Sequence, residues 1–550
     1  MSVCKYFCIF AILHCIQPMK TSTKITLSVL GTLFVLIFSA FLFADIWVSR
    51  IAQSEIRKSL SSAEGIEASI GPVHIYFISG SVVVKDFHLA TEALNVDVAA
   101  IRLNHIRYMS LLKQRIQLHS ITIEDPHIRL VYDDRHPEAI FPQTEDTTLR
   151  SAGEWLHSID VKHLKVNRAC AYVKDIRSPL EVKADSLSVH IRDLHYNLTD
   201  SVFTYNDEAY AVSLTSLSVA LPDGMSALEM HDFGTRDQGP ITLGHTRFYN
   251  TIPPMALADR VEEPVTWIDV VINQLTTSPL NPIRKALAQD FTLEKIDADV
   301  ALLHAARDER HAPKKPYDMP QEILQAIPAT FSIRQVGAKI REVQVEFAST
   351  DINCGHLRLN NIKAHMENVT NKAGAVWKNS MIAPVGKEGQ AAATFNLYMN
   401  PEASFDGSLH ATHIETDYLN TFIRPLVGIT SECHIDSLDT EYGGDKVAAQ
   451  GTFCMRYHGL NVQVHKEDNI PYKVVSKHAK TLTTLANTLI PSSNPTSVDV
   501  RPRAYHVAWK RDIWSPVPLY YFGPCINGVV ETMLPGLYVH KQVAHSTQAK

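Results

Sequence analysis

One spacing constrains this chain more than any other: apolar–x–apolar–x–x–apolar–x–apolar, recurring along most of its 550 residues. It occurs at Val96, Val98, Ile101 and Leu103, at Ile116, Leu118, Ile121 and Ile123, and at Ile159, Val161, Leu164 and Val166. It returns at Val182, Ala184, Leu187 and Val189, and at Val212, Leu214, Leu217 and Val219. Two later copies are Phe331, Ile333, Val336 and Ala338, then Leu357, Leu359, Ile362 and Ala364. The positions between are mostly polar, as with Gln117, His119, Ser120 and Thr122, or Arg358, Asn360, Asn361 and Lys363. Alternation with period 2 sends apolar side chains to one face of a strand and polar ones to the other. The doubled pair in the middle would throw a straight strand out of phase. A bulge or sharp bend at that pair returns the later residues to the same face. A helix needs apolar spacings of three and four, which these units lack.

The expected fold is therefore mostly β: a long antiparallel sheet with one apolar face and few short helices. Helical stripes fall at Ile323–Ile327, at Thr481–Ile490, and near the C-terminus at Leu519–Leu534, where Pro524 sits early. Polar, Pro-bearing breaks fall at Asp133–Glu154, His304–Pro320 and Lys372–Gln390. Two packings satisfy this pattern. Two sheets can close on each other as a sandwich, or one curved sheet can leave an apolar groove for a ligand or partner. At ~4.8 Å per strand, roughly 20 to 25 strands would extend on the order of 100 Å.

Ahead of the repeats, Ile25–Ala44 carries no charge and has the length of a membrane span. Ile25, Leu30, Phe34, Ile37 and Phe41 lie in the predicted transmembrane helix, and Trp47 follows at interface depth. A cleaved signal peptide would have a shorter apolar run ending in small residues, so an uncleaved anchor is expected. Its flanking charges are balanced: Lys5, Lys20 and Lys24 before, Arg50, Arg57 and Lys58 after. Met19 is a more ordinary start for such an anchor than Met1.

Composition removes other classes. The chain has 52 Lys+Arg against 58 Asp+Glu, a net charge of −6, which argues against a nucleic-acid binder. At 45% hydrophobic and 20% charged it is neither disordered nor multi-pass. No CxxC spacing exists among the eight cysteines, so no zinc ribbon or thioredoxin-type site is supported. A Cys433–Cys454 disulfide is conceivable if their segments are adjacent strands. No hydrolase elbow, zinc-protease, phosphate-loop or dinucleotide motif occurs. Asp133-Asp134 with Arg135-His136 reads as a solvated turn, and the histidines show no metal-ligand spacing. No enzyme activity, metal or cofactor is expected. Near the C-terminus, Arg501, Arg503, Lys510 and Arg511 interleave with Tyr505, Trp509 and Trp514. Such a stretch either lies on an anionic membrane or partner, or caps the end of the sheet.

The order of segments resembles the AsmA-like envelope proteins. After the anchor come Ile75–Leu89 (IYFISGSVVVKDFHL), Val96-x-Val98-x-x-Ile101-x-Leu103, Tyr108–Lys113, Ile116–Pro126 (IQLHSITIEDP) and Ile128-Arg-Leu130. Toward the end, Phe405–Leu409, Leu419–Val427 and Gly451–Val464 (GTFCMRYHGLNVQV) are similar to that family's C-terminal region. The resemblance weakens over about 200–330. It implies a bacterial inner-membrane protein with a single span, the bulk of the chain in the periplasm, and a taco-like β-groove. The lining would be Val96, Val98, Ile101, Leu103, Ile116, Leu118, Ile121, Ile123, Leu187, Val189, Leu217, Val219, Leu357 and Leu359. The partners would be phospholipid, the inner membrane and an envelope protein, in outer-membrane biogenesis or homeostasis. The alternative is a non-enzymatic assembly factor with a closed sandwich. The expected segments are 1–24 cytosolic, 25–47 the span, 48–133 an N-terminal β region and 155–395 a central repetitive β region. They continue with 396–470, a C-terminal β region, and 471–550, a helical, basic and aromatic tail.

Overall fold

The computed structural model describes residues 49–50, 53–54, 67–133, 156–198, 202–206, 208–281, 285, 291–327, 329–348, 354–465, 479–499 and 501–533. The predicted anchor, with Ile25, Leu30, Phe34, Ile37, Phe41 and Trp47, lies outside them. So does most of the Asp133–Glu154 break, including Asp134, Arg135 and His136. Among the described residues no helix is long and apolar enough to cross a membrane. The chain falls into two units, one formed by 1–169 with 190–206 and the other by 170–189 with 207–550.

The N-terminal unit contains β1 (Glu67–Ser69), β2 (Val73–Tyr76), β3 (Ser81–Ala90), β4 (Leu94–Asn104), the short helix α1 (Tyr108–Leu111) and β5 (Arg115–Tyr132). It shares β6 (Ser158–Asp175) and β7 (Glu181–Asn197) with the second unit and ends on β8 (Val202–Thr204). Strands β2 to β5 form an antiparallel meander.

The second unit continues with β9 (Tyr210–Ala220), β10 (Ser226–Arg236), β11 (Pro240–Leu243), β12 (Thr246–Asn250), α2 (Pro254–Val261), β13 (Val265–Pro279) and β14 (Phe291–Asp308). Then come α3 (Pro320–Gln325), β15 (Phe331–Ala348), β16 (Cys354–Thr370), β17 (Val376–Val385), β18 (Gly389–Tyr398) and β19 (Phe405–Glu415). The last elements are α4 (Asp417–Val427), β20 (Ile429–Gly444), β21 (Ala448–Val464), α5 (Ala479–Leu489), β22 (Ala504–Lys510) and α6 (Val517–Met533). The chain is mostly β, as the repeats require.

How the strands keep one apolar face is visible in the backbone. In β16 the doubled polar pair is Asn360-Asn361, and Asn361 is left-handed at φ +57°. A single left-handed residue turns the next side chain back to the face it would otherwise miss. The bends are shared between neighbours. The register of β15 on β16 runs unshifted through Ile340↔Ile362 and Glu342↔Asn360, placing Asn361 level with Arg341. A second left-handed residue, Asn368 at φ +55°, lies level with Arg334 of β15. In the N-terminal unit, Asp86 (φ +50°), Ala99 and Asp125 (φ +49°) are level on β3, β4 and β5. Arg168 of β6, also left-handed at φ +53°, meets Asp125 through a 2.6 Å hydrogen bond. This bond and the guanidinium's charge hold the Asp125 carboxyl below the usual carboxylate range. Asp and Asn fill these corners because their short polar side chains tolerate the left-handed region.

Several expectations are corrected. The sheet curves, but the bending is concentrated in corners stacked from strand to strand, the construction of a β-solenoid rather than a smoothly wrapped groove. Its pairing is also not wholly antiparallel. β14 and β15 run parallel, from Phe291↔Phe331 to Asp308↔Ala348. A parallel pair needs a crossover connection, supplied by the Pro-rich segment read as a loop, together with α3. The proposed break at Lys372–Gln390 holds β17, whose Trp377, Met381, Ala383 and Val385 alternate like those of any strand. Within the C-terminal β region, 417–427 is helix α4, ended by Gly428 at φ +69°. The predicted tail contains strand β22 paired on β21. Cys433 and Cys454 do lie on adjacent strands but are both free, because Cys454 faces Asp439 and not Cys433.

The best-sealed part of the second unit is C-terminal. Phe453, Met455, Tyr457 and Val507 are buried among Ile435 and Leu460, with Tyr418 of α4, Ala486 of α5 and Val529 of α6 packed on them. A second cluster joins Met319, Leu397, Met399 and Phe405 to Val517 and Tyr520 at the start of α6. Buried Gln321 donates from Nε2 to the Ala403 and Ser404 carbonyls, both at 3.1 Å. Gly528 lets α6 approach so closely that an added Cβ would sit 2.1 Å from the Phe453 ring. In the basic, aromatic stretch Arg503 pairs with Asp499 and Arg511 donates to the Tyr317 and Lys446 carbonyls, while Trp514 and Phe522 stay exposed, at 48% and 59%.

Asn361→Val forces a β-branched residue into the left-handed corner and should lower stability by about 1–2 kcal/mol in urea unfolding, whereas Asn361→Gly should stay within about 0.5 kcal/mol. Equal losses from both would deny the corner its backbone role. Burial, with a smaller contribution from Asp436, pushes the Cys433 thiol up to about 11. Its thiolate at pH 8 is then about 100-fold rarer than at the ordinary value of 9. Alkylation of native Cys433 should run at least about tenfold slower than in the urea-unfolded chain, and matching rates would count against the sealed core.

Candidate apolar binding face

Cross-strand register gathers apolar side chains from distant parts of the sequence into rows. In the N-terminal unit, Val84, Ile101 and Ile123 are level on β3, β4 and β5, and Val82, Leu103 and Ile121 form the next rung. Leu89, Val96 and Ile128 form another, and Phe87, Val98 and Pro126 complete the set. The candidate residues Val96, Val98, Ile101, Leu103, Ile121 and Ile123 therefore stand in one continuous patch. Ile116 and Leu118 precede the bend on β5. Val98 and Leu118 are buried, at 6% and 8% exposure, and the other six are half-buried.

In the second unit one row crosses seven strands. It runs Val219 (β9), Leu228 (β10), Phe248 (β12), Val270 (β13), Leu303 (β14), Val343 (β15) and Leu359 (β16). The next row is Leu217, Met230, Thr246, Ile272, Val300, Ile340 and Ile362. Six strand spacings of ~4.8 Å separate Val219 from Leu359 by about 29 Å. Leu357 sits one step along β16, opposite Val345. Leu187 and Val189 lie on β7, half-buried, on either side of Ser188.

All seven side chains of the first row are half-buried. That contrasts with Phe453 and Met455 in the same unit, which helices cover. From Val219 to Val343 the row is apolar, continuous and only half-buried, whereas Leu359 at its end packs against the helix-covered C-terminal cluster, and Thr246, Val300 and Ile362 of the next row are buried. The five middle residues, Leu228, Phe248, Val270, Leu303 and Val343, are not legible from the repeat. β13 and β14 carry register shifts at Val271/Ile272 that blur the spacing, and β12 is too short to show a full unit.

Polar groups the sequence disguises also converge. His105 and His119 are 5.6 Å apart by ring centroids, His119 and His163 5.1 Å, and His163 and His190 5.4 Å. These rings come from four separate segments, so no local spacing announces them. Burial first, then the neighbouring His190 and His119, lowers the pKa of His163. Beside this ladder lies a cavity of about 810 Å³ bordered by Arg107, Gln117, His119, Asp160, Lys162 and His195. His195 and Gln117 both reach the Asp160 carboxylate, at 2.6 Å and 3.4 Å. Among the described residues, no group of three His, Cys, Asp or Glu side chains is placed to hold a metal ion.

No protein-family model, no curated protein and no solved structure matches the chain.

Proposed function

We propose that this chain is a bacterial envelope protein, anchored in the inner membrane through Ile25–Ala44, that holds phospholipid acyl chains along its apolar sheet face in the periplasm. The observation that carries the reading is the row from Val219 to Val343, apolar throughout yet only half-buried. A closed sandwich would bury this row as fully as the helices bury Phe453. An acyl chain laid along it gains about 0.8 kcal/mol per CH₂ removed from water, so ten matched methylenes contribute about 8 kcal/mol. Head groups stay in water, and no bond chemistry is involved. The AsmA-like order of segments agrees with this role in moving or storing phospholipid for the outer membrane, alone or with an envelope partner.

The test is mass spectrometry of lipid that co-purifies with the full chain in mild detergent. Wild type should carry phospholipid. Val270→Asp combined with Leu303→Asp should lower it at least about tenfold, because unpaired carboxylates against an acyl chain cost well over 1.4 kcal/mol. Asn360→Asp, an exposed neighbour of Leu359, should leave it unchanged. A lipid-free wild type, or equal loss from Asn360→Asp, overturns the reading. Unchanged circular dichroism verifies that each variant is folded.

A further inference from the structure

We infer that one end of the N-terminal unit, formed by the 77–80 turn and residues 105–115, rests in the membrane interface against anionic phospholipid head groups. This rests on the anchor reading above, and it specifies which surface meets the bilayer. The apolar side chains of this end are uncovered. Ile78 is 71% exposed, Met109 75% and Leu112 78%, with Tyr76 and Tyr108 half-exposed beside them. Gathered at one end by the contacts between the 77–80 turn and residues 106–108, they form an apolar patch of the kind that marks an interaction surface.

The end is built rather than frayed. Tyr108 Oη donates to the Phe77 carbonyl at 3.1 Å, and the Ile106 amide donates to the Gly80 carbonyl at 2.7 Å. Gly80 is left-handed at φ +62°, and an added Cβ would lie 2.9 Å from the Ile106 carbonyl oxygen. The turn and the α1 segment are therefore locked together with their apolar side chains outward.

The approach of the chain selects the occupant. Ser49 Oγ accepts a hydrogen bond from the Ile75 amide at 2.8 Å, and Gln53 Nε2 donates to the Gly71 carbonyl at 2.8 Å. As residue number rises from 49 to 53, the partner falls from 75 to 71. The helical residues thus enter from the side of Tyr76 and Ile78. In sequence, the uncharged run ends at Ala44, five residues before Ser49. Five residues span about 7.5 Å as helix and about 17 Å extended. A bilayer holding that run lies within reach of this end.

Charge agrees. Arg107, Lys113, Arg115 and Lys162 are exposed, and none forms an ion pair among the described residues. Of the carboxylates lining the cavity with Arg107 and Lys162, Asp160 is engaged by His195 and Gln117, and Asp193 accepts from Asn206 at 3.3 Å. Exposed apolar and Tyr side chains ringed by unpaired cations fit an anionic bilayer surface.

The experiment places an environment-sensitive fluorescent amino acid at Leu112, and separately at Val498 of the second unit, in the full chain reconstituted in nanodiscs. Brominated phosphatidylglycerol should quench Leu112 at least about twofold more than Val498. Arg107→Gln with Lys162→Gln should reduce that quenching, while brominated phosphatidylcholine should quench less throughout. Quenching at Leu112 no greater than at Val498 overturns the inference, and equal quenching by both lipids overturns its anionic part. Shielding of Leu112 without bromine quenching marks a protein partner and also overturns it. Carbonate extraction of the same full chain separates the two claims. A chain that stays with the membrane while Leu112 is unquenched retains the anchor and loses the interface. A chain extracted by carbonate, yet quenched at Leu112 when vesicles are added, loses the anchor and retains the interface.

Discussion

Phase is the constraint on which the structure depends. A strand of 17 or 18 residues, such as β16 or β15, would be straight and stiff if it kept strict alternation. These strands turn corners instead, and a corner in one strand tears the ladder unless its neighbours turn at the same level. Left-handed residues at Asp86, Asp125, Arg168, Asn361 and Asn368 solve both problems. Each returns the following side chains to the apolar face; Asp86 and Asp125 stand at one level across β4, and the β15–β16 register runs unshifted past Asn361 and Asn368. The apolar rows exist because of this coordination.

Coverage then differentiates the face along the second unit. At its C-terminal end, α4, α5 and α6 lie on the sheet, and Gly528 and Gly523 remove the side chains that would keep α6 off Phe453 and Trp509. Earlier strands present the same kind of apolar row without an equivalent helical layer, so Val270, Leu303 and Val343 remain half-buried. Sealed and unsealed stretches of one apolar surface imply different tasks. The sealed stretch supplies stability, and the half-buried one is where the proposed acyl chains would supply the missing layer.

Much of this was legible in the sequence. The β class, the one-sided apolar pattern, the short helices near 320, 481 and 519, and the need for a kink at the doubled polar pair all come from spacing alone. The kind of kink was legible only in part. Asn361 and Ser186 lie within a doubled pair, but Asp86, Asp232 and Asn368 sit on the neighbouring strand, level with it. The parallel β14–β15 pair was hidden because strand direction leaves no mark on period-2 alternation. Helix α4 does carry a sequence signal, because Leu419, Phe422, Ile423 and Leu426 stand at the i, i+3, i+4, i+7 spacing of an amphipathic helix, although Pro425 interrupts the run. The histidine ladder and the cavity beside it were invisible because their members meet only across strands.

The proposed role places acyl chains along the row from Val219 to Val343. The most direct measurement is photo-crosslinking with a phospholipid bearing a diazirine in its acyl tail, followed by peptide mapping of the full chain. Adducts are expected at Leu228, Val270, Leu303 and Val343, with none at the exposed Arg358 or Asn360. Adducts confined to the polar positions, or absent from β9–β16 altogether, would contradict it.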